Sequence, residues 1–325
     1  MRVRHRATIG TAPPRPTDPG AQGGEDPKVS PVNMPPAEVE VDAALVRGLL
    51  EDQFPHWADL PITARPGLGW DNHIFRLGPD LLVRLPRRQL GADLVAHEHR
   101  WLPQLAPRLP LPVPLPVGQG VPGRGYPWPW SVCPWIPGRM AAVEPLSDPL
   151  QAAGQLGAFV AALHLPAPPE APHNPFRSVT LAGRDEVARA TLAEVEALVD
   201  RRRVEAAWRQ ALEVTEWDGP PVWLHGDLHP ANLLVADGRL SGVIDFGDLC
   251  AGDPAVDVVG AWMLFPPLAR PMFAAAVGVD DATWRRGRGW ALAIGLACLA
   301  HSADNPVVAG MGRRAVEAVL EEAGD

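Results

Sequence analysis

The first part of the chain alternates short apolar runs with turn-forming residues. An apolar stripe with helical spacing predicts a helix over residues 39–50. Three short apolar runs then predict strands over residues 62–65, 73–77 and 81–85. The Gly78-Pro79-Asp80 segment is typical of a turn, so the last two runs are predicted to pair as a hairpin.

A helix and an irregular segment follow this strand-rich part. The spacing of apolar residues predicts a helix over residues 92–105. Residues 109–137 are crowded with proline and tryptophan, which favours short strands interrupted by turns. We expect this segment to form the crossing point between two lobes.

Beyond residue 137 the pattern is mainly helical. Ser147 or Asp148 can cap a helix that starts at Pro149, and another helix is predicted over residues 184–212. A pair of short strands interrupts the helices, over residues 233–235 and 242–245, on either side of an Asp237-Gly238 turn. Strands in the first part and helices in the second predict an α+β architecture.

The sequence predicts a disordered N-terminal tail and no segment that spans a membrane. Residues 1–36 are rich in Pro, Gly and polar residues and have no apolar periodicity, so we expect a disordered tail. No apolar segment follows the basic N-terminus as a secretion signal would require. The longest apolar run, Trp290 to Ala300, is shorter than the roughly 20 residues that span a bilayer and indicates a buried helix.

Charge and cysteine content restrict the class of partner and the compartment. The net charge of −9 and the pI of about 5.6 disfavour a nucleic-acid partner. The three cysteines, Cys133, Cys250 and Cys298, are far apart and lack C-x-x-C spacing, which fits a reducing cytoplasm and argues against a structural zinc site. Lys28, in the predicted tail, is the only lysine, so any cation at a nucleotide phosphate must be another residue.

The strongest chemical pattern lies between residues 222 and 248. Asp227 follows a short apolar strand, Asn232 comes five residues later, and Asp245 lies thirteen residues beyond Asn232. The predicted hairpin brings its two outer ends together, so Asn232 and Asp245 should lie beside Asp227. Phosphoryl transfer needs a carboxylate that accepts a hydroxyl proton and oxygen ligands that hold Mg²⁺ against nucleotide phosphates. These three residues can supply both.

These residues resemble the aminoglycoside phosphotransferase family and, more distantly, the protein kinases. The family motif H-G-D-x-x-x-x-N followed by D-x-G is complete at His225–Asn232 and Asp245–Gly247, and residues 252–257 are similar to the segment that follows it. The resemblance implies a protein-kinase-like, two-lobed fold. Its divisions would be a tail over residues 1–36, a nucleotide-binding N-lobe over residues 37–133, and a helical C-lobe over residues 134–325 that carries the catalytic loop and the acceptor site.

The resemblance also implies roles for individual residues. Asp227 would be the catalytic base, Asn232 and Asp245 would bind Mg²⁺, and His225 would orient the catalytic loop. His229 could be catalytic, but its position before Pro230 favours a role in shaping the loop.

Four further residues and one loop would contact the phosphoryl donor, ATP or GTP. The glycine-containing stretch Pro66–Asn72, which includes Gly69, would cover the phosphates, with a plain β-turn as the alternative. Arg84 would replace the lysine seen in many relatives and pair with Glu98; a surface arginine and a solvated glutamate are the alternative. The Cys133 carbonyl and the Trp135 amide would bind the purine.

The resemblance therefore implies a cytoplasmic small-molecule kinase that acts on a hydroxyl group. An aminoglycoside-type antibiotic is the first candidate acceptor, and macrolides, choline, homoserine and sugars are alternatives. Two other classes remain open: a nucleotide-binding pseudokinase module, and a metallohydrolase that uses His225-x-Asp227-x-His229 as zinc ligands. The sequence predicts no membrane partner and does not determine the oligomeric state.

Overall fold

The computed structural model describes residues 35–65, 70–302 and 304–322. Most of the predicted tail and the predicted phosphate-covering loop at Gly69 lie outside these ranges. The first described helix, α1 (Ala43–Gln53), begins at Asp42, whose side chain accepts a hydrogen bond from the Leu45 N–H.

An antiparallel sheet of five strands forms the first part of the fold. Its strands follow the order β1-β2-β3-β5-β4, so β3 lies at the centre. Trp130, Val132, Val83 and Leu77 from this sheet pack with α1 in a small core of buried apolar side chains. The strands are β1 (Ile62–Ala64), β2 (Asn72–Leu77), β3 (Leu81–Pro86), β4 (Gly118–Gly120) and β5 (Trp130–Pro134). The predicted strands and the hairpin turn are therefore confirmed to within two residues.

Helix α2 (Gln89–Leu105) connects β3 to the rest of the chain. Its side toward the sheet buries Glu98 together with Val95 and Ala92. Its last turns carry Trp101 and Leu102 into a second, larger apolar core. A single helix thus joins the two cores, and one buried charge on it points toward the sheet.

The larger core is formed mainly by helices from the second part of the chain. They are α3 (Pro149–Leu163), α4 (Asp185–Val195), α5 (Arg201–Leu212), α6 (Gly260–Leu264), α7 (Arg270–Val277), α8 (Asp281–His301) and α9 (Pro306–Glu322). Asp148 caps α3 through the Gln151 N–H, as the sequence predicted for one of two candidates. The apolar run from Trp290 is buried inside α8, as expected.

The single helix predicted over residues 184–212 is wrong, because the structure has α4 and α5 with a break between them. Asp200 accepts a hydrogen bond from the Arg203 N–H and so caps the second helix. Both helices bury apolar residues against the larger core, which is why one continuous apolar pattern resulted from two elements.

Short strands position the residues between 222 and 252. They are β6 (Arg139–Met140), β7 (Val222–Leu224), β8 (Leu233–Ala236), β9 (Arg239–Val243) and β10 (Cys250–Gly252). The Asp237-Gly238 turn between β8 and β9 has positive φ at both residues, as its sequence predicts. Strand β9 begins three residues before the predicted start and ends before Asp245. Among the described residues, no helix is long and apolar enough to cross a membrane.

Candidate active site

The loop after β7 is held in a conformation that requires glycine. Strand β7 pairs with β10, and Gly226 follows with φ of +83°. A Cβ atom on Gly226 would lie 2.5 Å from the backbone oxygen of Asp248. A side chain is excluded both by this contact and by the left-handed backbone. The chain therefore turns sharply just before Asp227.

A buried carboxylate fixes the backbone of the same loop. Asp257 accepts the N–H of His225 at 2.7 Å and the N–H of Gly226 at 2.9 Å. Its Oδ2 lies 3.3 Å from Nε2 of His164. Burial opposes ionisation of Asp257, but His164, His225 and the Gly226 amide outweigh it and lower its pKa. Asp257 therefore remains a charged acceptor that orders two consecutive amides.

His225 links this loop to the segment that ends at Asp245. Its Nε2 lies 3.0 Å from the carbonyl of Ile244, its Nδ1 accepts the N–H of Asp227 at 3.3 Å, and its ring packs on Phe246. Both nitrogens of His225 are occupied, so it is not available as a zinc ligand. No group of three His, Cys, Asp or Glu side chains suited to a metal occurs among the described residues.

The side chain of Asp227 is held at both oxygens and retains 26% exposure. Oδ2 accepts from Nδ2 of Asn232 at 3.1 Å and lies 3.1 Å from Nε2 of His229, while Oδ1 is 3.3 Å from Nη2 of Arg177. Burial opposes ionisation, but these cations keep the pKa of Asp227 well below its usual range. The carboxylate is therefore ionised, and only Oδ1 is bound by a single partner.

Two of these contacts come from residues for which no catalytic role was predicted from the sequence. His229 shapes the loop, since its Nδ1 accepts the Ala231 N–H at 3.2 Å, but it also donates from Nε2 to Asp227. Arg177 lies fifty residues before Asp227 and also donates from Nε to the Gly226 carbonyl. No local pattern could have identified Arg177.

Asn232 and Asp245 lie at the two outer ends of the β8–β9 hairpin. The Ile244 N–H donates to the Asn232 carbonyl at 2.9 Å. Nδ2 of Asn232 binds both the carbonyl and the carboxylate of Asp227, which leaves its Oδ1 as the remaining acceptor. Asp245 has φ of +66° and a side chain that is 55% exposed. One amide oxygen and one carboxylate are suitable ligands for Mg²⁺, which usually keeps several ligands from water and phosphate.

The expected contact between Arg84 and Glu98 is present and buried. Nη1 and Nη2 of Arg84 bind the two carboxylate oxygens of Glu98 at 2.7 and 3.1 Å, and the residues are only 7% and 1% exposed. Burial lowers the pKa of Arg84, but the Glu98 carboxylate outweighs it and raises that pKa. Nη2 of Arg84 also lies 3.8 Å from Oδ1 of Asp245, so the buried cation reaches the site.

The backbone groups assigned to purine binding need a correction. The Trp135 N–H donates to the Asp80 carbonyl at 2.7 Å, so this amide is already used. Backbone groups alternate between the two sides of an antiparallel strand, so Cys133 also faces β3, where its partner is Leu82. The Pro134 carbonyl points to the opposite side of the strand, away from β3. On that side the Val117 N–H donates to the Val132 carbonyl, two residues before Pro134.

His229 provides a test of how the loop holds Asp227. Replacing it with Asn should keep a capping acceptor for Ala231 but remove the donor to Asp227. The pKa of Asp227 is depressed, so its basic form persists to low pH; losing His229 should raise this pKa. We expect the acid limb of the kcat–pH profile to move to higher pH and kcat to fall about tenfold.

The double variant His229→Asn/Asp227→Asn is the control for this experiment. If His229 acts through Asp227, the double variant should be no slower than Asp227→Asn alone, because Asp227→Asn has already removed the interaction. An unchanged pH profile and rate in His229→Asn would mean that the residue only shapes the loop.

The chain is similar to known phosphotransferases in sequence and in fold. A family model described as "Phosphotransferase enzyme family" matches residues 63–290. Aminoglycoside 2'-phosphotransferase-IIIa in its GDP complex is similar in structure, with a TM-score of 0.62, 20% identity, and coverage of 87% of this chain and 100% of that one. No curated protein sequence matches the chain.

Two further solved structures are similar over most of their length. The apoenzyme of macrolide 2'-phosphotransferase MphH from Brachybacterium faecium has a TM-score of 0.56 and 23% identity, covering 83% of this chain and 97% of that one. The streptomycin-ATP-APH(2")-IIa ternary complex has a TM-score of 0.55 and 18% identity, covering 80% and 90%. These likenesses confirm the predicted α+β fold.

Proposed function

The chain belongs to the phosphotransferase enzyme family, and on that premise we propose that it transfers the γ-phosphoryl group of Mg²⁺-bound ATP or GTP to a hydroxyl group of a small molecule. One observation carries the proposal. A chain of contacts runs from Asp227 through Asn232 and the adjoining backbone to Asp245, and from there to the buried Arg84. The residues proposed as base, metal ligands and phosphate-binding cation are therefore adjacent.

Asp227 is the proposed catalytic base. The acceptor hydroxyl would donate its proton to Oδ1, the oxygen with fewer partners, as its oxygen bonds to the γ-phosphorus. The bond from that phosphorus to the bridging oxygen breaks, and the nucleoside diphosphate leaves with the electron pair. Because the pKa of Asp227 is low, its main contribution is to orient the hydroxyl, with proton transfer late in the step.

Asn232 and Asp245 would hold Mg²⁺, which supplies positive charge to the nucleotide phosphates when it is bound. Arg84 would add a fixed cation on the same side, aimed by Glu98 and prevented from losing its proton. His225 would keep the loop and the Asp245 segment in register through the Ile244 carbonyl. We infer these roles from the positions of the four residues and from the donor and acceptor atoms that their side chains carry.

The purine would bind one residue away from the backbone groups first assigned. The Pro134 carbonyl points away from β3, and the Ile136 amide is the corresponding donor two residues later. This replaces Cys133 and Trp135, whose backbone groups face β3. Proline at residue 134 is compatible with the role, because only its carbonyl takes part.

The division into lobes and the cellular location also remain proposals. The small and large apolar cores support an N-lobe over residues 37–133 and a helical C-lobe over residues 134–325. The free thiols of all three cysteines fit a cytoplasmic enzyme.

The names of the similar structures make an aminoglycoside-type antibiotic the first acceptor to test and a macrolide the second. Release of nucleoside diphosphate across a panel of hydroxylated antibiotics and metabolites tests the proposed function.

The dependence of turnover on magnesium tests the metal ligands. Asp245→Asn removes a charged ligand and should raise the Mg²⁺ concentration for half-maximal turnover about tenfold, more than Asn232→Ala does. The matched control is Asp248→Asn, three residues on, whose Oδ1 binds Asn174 and which should leave the requirement unchanged. An unchanged requirement in Asp245→Asn would contradict the assignment.

A further inference from the structure

Two arginines lie on the segment before α4: Arg177 contacts Asp227, and Arg184 lies against the ring of Phe176, the residue before Arg177. Arg177 binds Oδ1 of Asp227 through Nη2 and the Gly226 carbonyl through Nε. These contacts leave the N–H groups of Nη1 without a partner among the described residues. The segment that carries Arg177 is anchored, because Asn174 binds both Asp248 and the backbone around Phe176.

Arg184 is the second cation, and it lacks an acidic partner within the described part of the chain. Burial and the neighbouring charge of Arg177 both lower the pKa of Arg184. Its guanidinium lies 5.8 Å from the ring centroid of Phe176, which is 59% exposed. A partly buried guanidinium beside a like charge is unfavourable unless an anion joins them.

The two carboxylates that interact with Arg177 do not offset this positive charge. Asp227 is shared among Arg177, His229 and Asn232. Asp248 has one oxygen bound to Asn174, and burial together with the charge of Asp227 raises its pKa. Its tendency to ionise is therefore reduced where a counter-charge is needed.

We propose that Arg177 and Arg184 form an anion subsite for a carboxylate or phosphate group that the acceptor carries close to the hydroxyl that is phosphorylated. The proposal rests on the proposed phosphotransfer and narrows its acceptor. Guanidinium groups bind both kinds of anion through paired, charge-assisted hydrogen bonds. A hydroxylated acid then precedes a polycationic aminoglycoside among the candidates, because ammonium groups beside these arginines would be repelled.

The subsite also has a consequence for Asp227. An anion that draws Arg177 toward itself weakens the contact on Oδ1, the oxygen that accepts the hydroxyl proton. The binding of a correct acceptor would thus free the base, whereas Asn232 and His229 continue to hold Oδ2.

Calorimetric binding of D-gluconate and D-glucitol to the full chain with Mg²⁺-ADP tests this inference. The two probes differ by a carboxylate in place of a CH₂OH group. We expect gluconate to bind at least about tenfold more tightly. Arg184→Gln should remove most of that preference. The control Arg189→Gln changes an exposed arginine of α4 that binds Asp185, and it should retain the preference.

Equal affinity for the two probes, no measurable gluconate binding, or tighter binding of kanamycin would overturn the anion subsite. So would an unchanged preference in Arg184→Gln. The proposed function fails differently, through the absence of Asp227-dependent diphosphate release with every acceptor of the panel. A carboxylate preference without such turnover would support the subsite and reject phosphotransfer.

Discussion

Asp227→Asn is expected to lower kcat by about 10²–10⁴-fold while leaving the fold and the affinity for ADP unchanged. The amide has nearly the same shape as the carboxylate but does not accept the hydroxyl proton. The neighbours of Asp227 remain in place, since Asp257 and His225 hold the loop backbone independently of this side chain. The measurements are kcat at saturating acceptor, calorimetric ADP affinity and the thermal midpoint of unfolding.

A matched substitution separates this effect from a general loss of charge. Asp237 lies in the turn of the neighbouring hairpin, is exposed, and has a positive φ that Asn tolerates. Asp237→Asn should keep full activity. A loss of less than tenfold in Asp227→Asn, with saturation verified, would place the base at another residue.

Breaking the buried pair between Arg84 and Glu98 is expected to have the largest effect on stability. Removing either partner leaves an unpaired charge at a position where Arg84 is only 7% and Glu98 only 1% exposed. Such a change typically costs about 3–5 kcal/mol of stability.

Arg84→Ala should also lower kcat/KM for the nucleotide, and Glu98→Ala should lower it less, because Glu98 only positions the cation. Arg84→Lys should recover part of the activity, since it keeps the charge without the bidentate contact.

A double-mutant cycle measures this coupling. The variant Arg84→Ala/Glu98→Ala should be far more stable than the sum of the two single losses predicts, because it leaves no unpaired charge. Urea unfolding gives the free energies. The exposed pair of Arg201 and Glu205 on α5 is the control and should show a much smaller coupling, because water screens both charges. A similarly small coupling for Arg84 and Glu98 would show that the pair is not a buried ionic contact in solution.

The sequence was sufficient to predict those parts of the structure that depend on residues close together in the chain. The Asp237-Gly238 turn fixes the β8–β9 hairpin, and the hairpin brings the segments at Asn232 and Asp245 together. The two strand boundaries shifted by a few residues, but the meeting of the hairpin ends did not depend on them. The contact between Arg84 and Glu98, which the family resemblance implied, joins a central strand to the helix after it.

The register of the segment that we propose to bind the purine could be read only from the sheet itself. Whether a backbone group faces a neighbouring strand depends on which residues are hydrogen-bonded pairs, and a shift of one residue reverses every group. The bond from the Trp135 amide to Asp80 sets this alternation, and neither residue reveals it in the sequence. Similarly, the break between α4 and α5 depends on the cap at Asp200, which a continuous apolar pattern conceals.

The amino-acid sequence by itself determined the type of chemistry, because the carboxylates and amide that carry it lie within one short stretch and fold on local turns. Only the tertiary structure decided the surroundings of Asp227. Arg177 approaches Asp227 from fifty residues earlier, and Asp257 reaches the loop amides from about thirty residues later. Such contacts arise from packing of the helical core, which brings distant segments together without a spacing that the sequence displays.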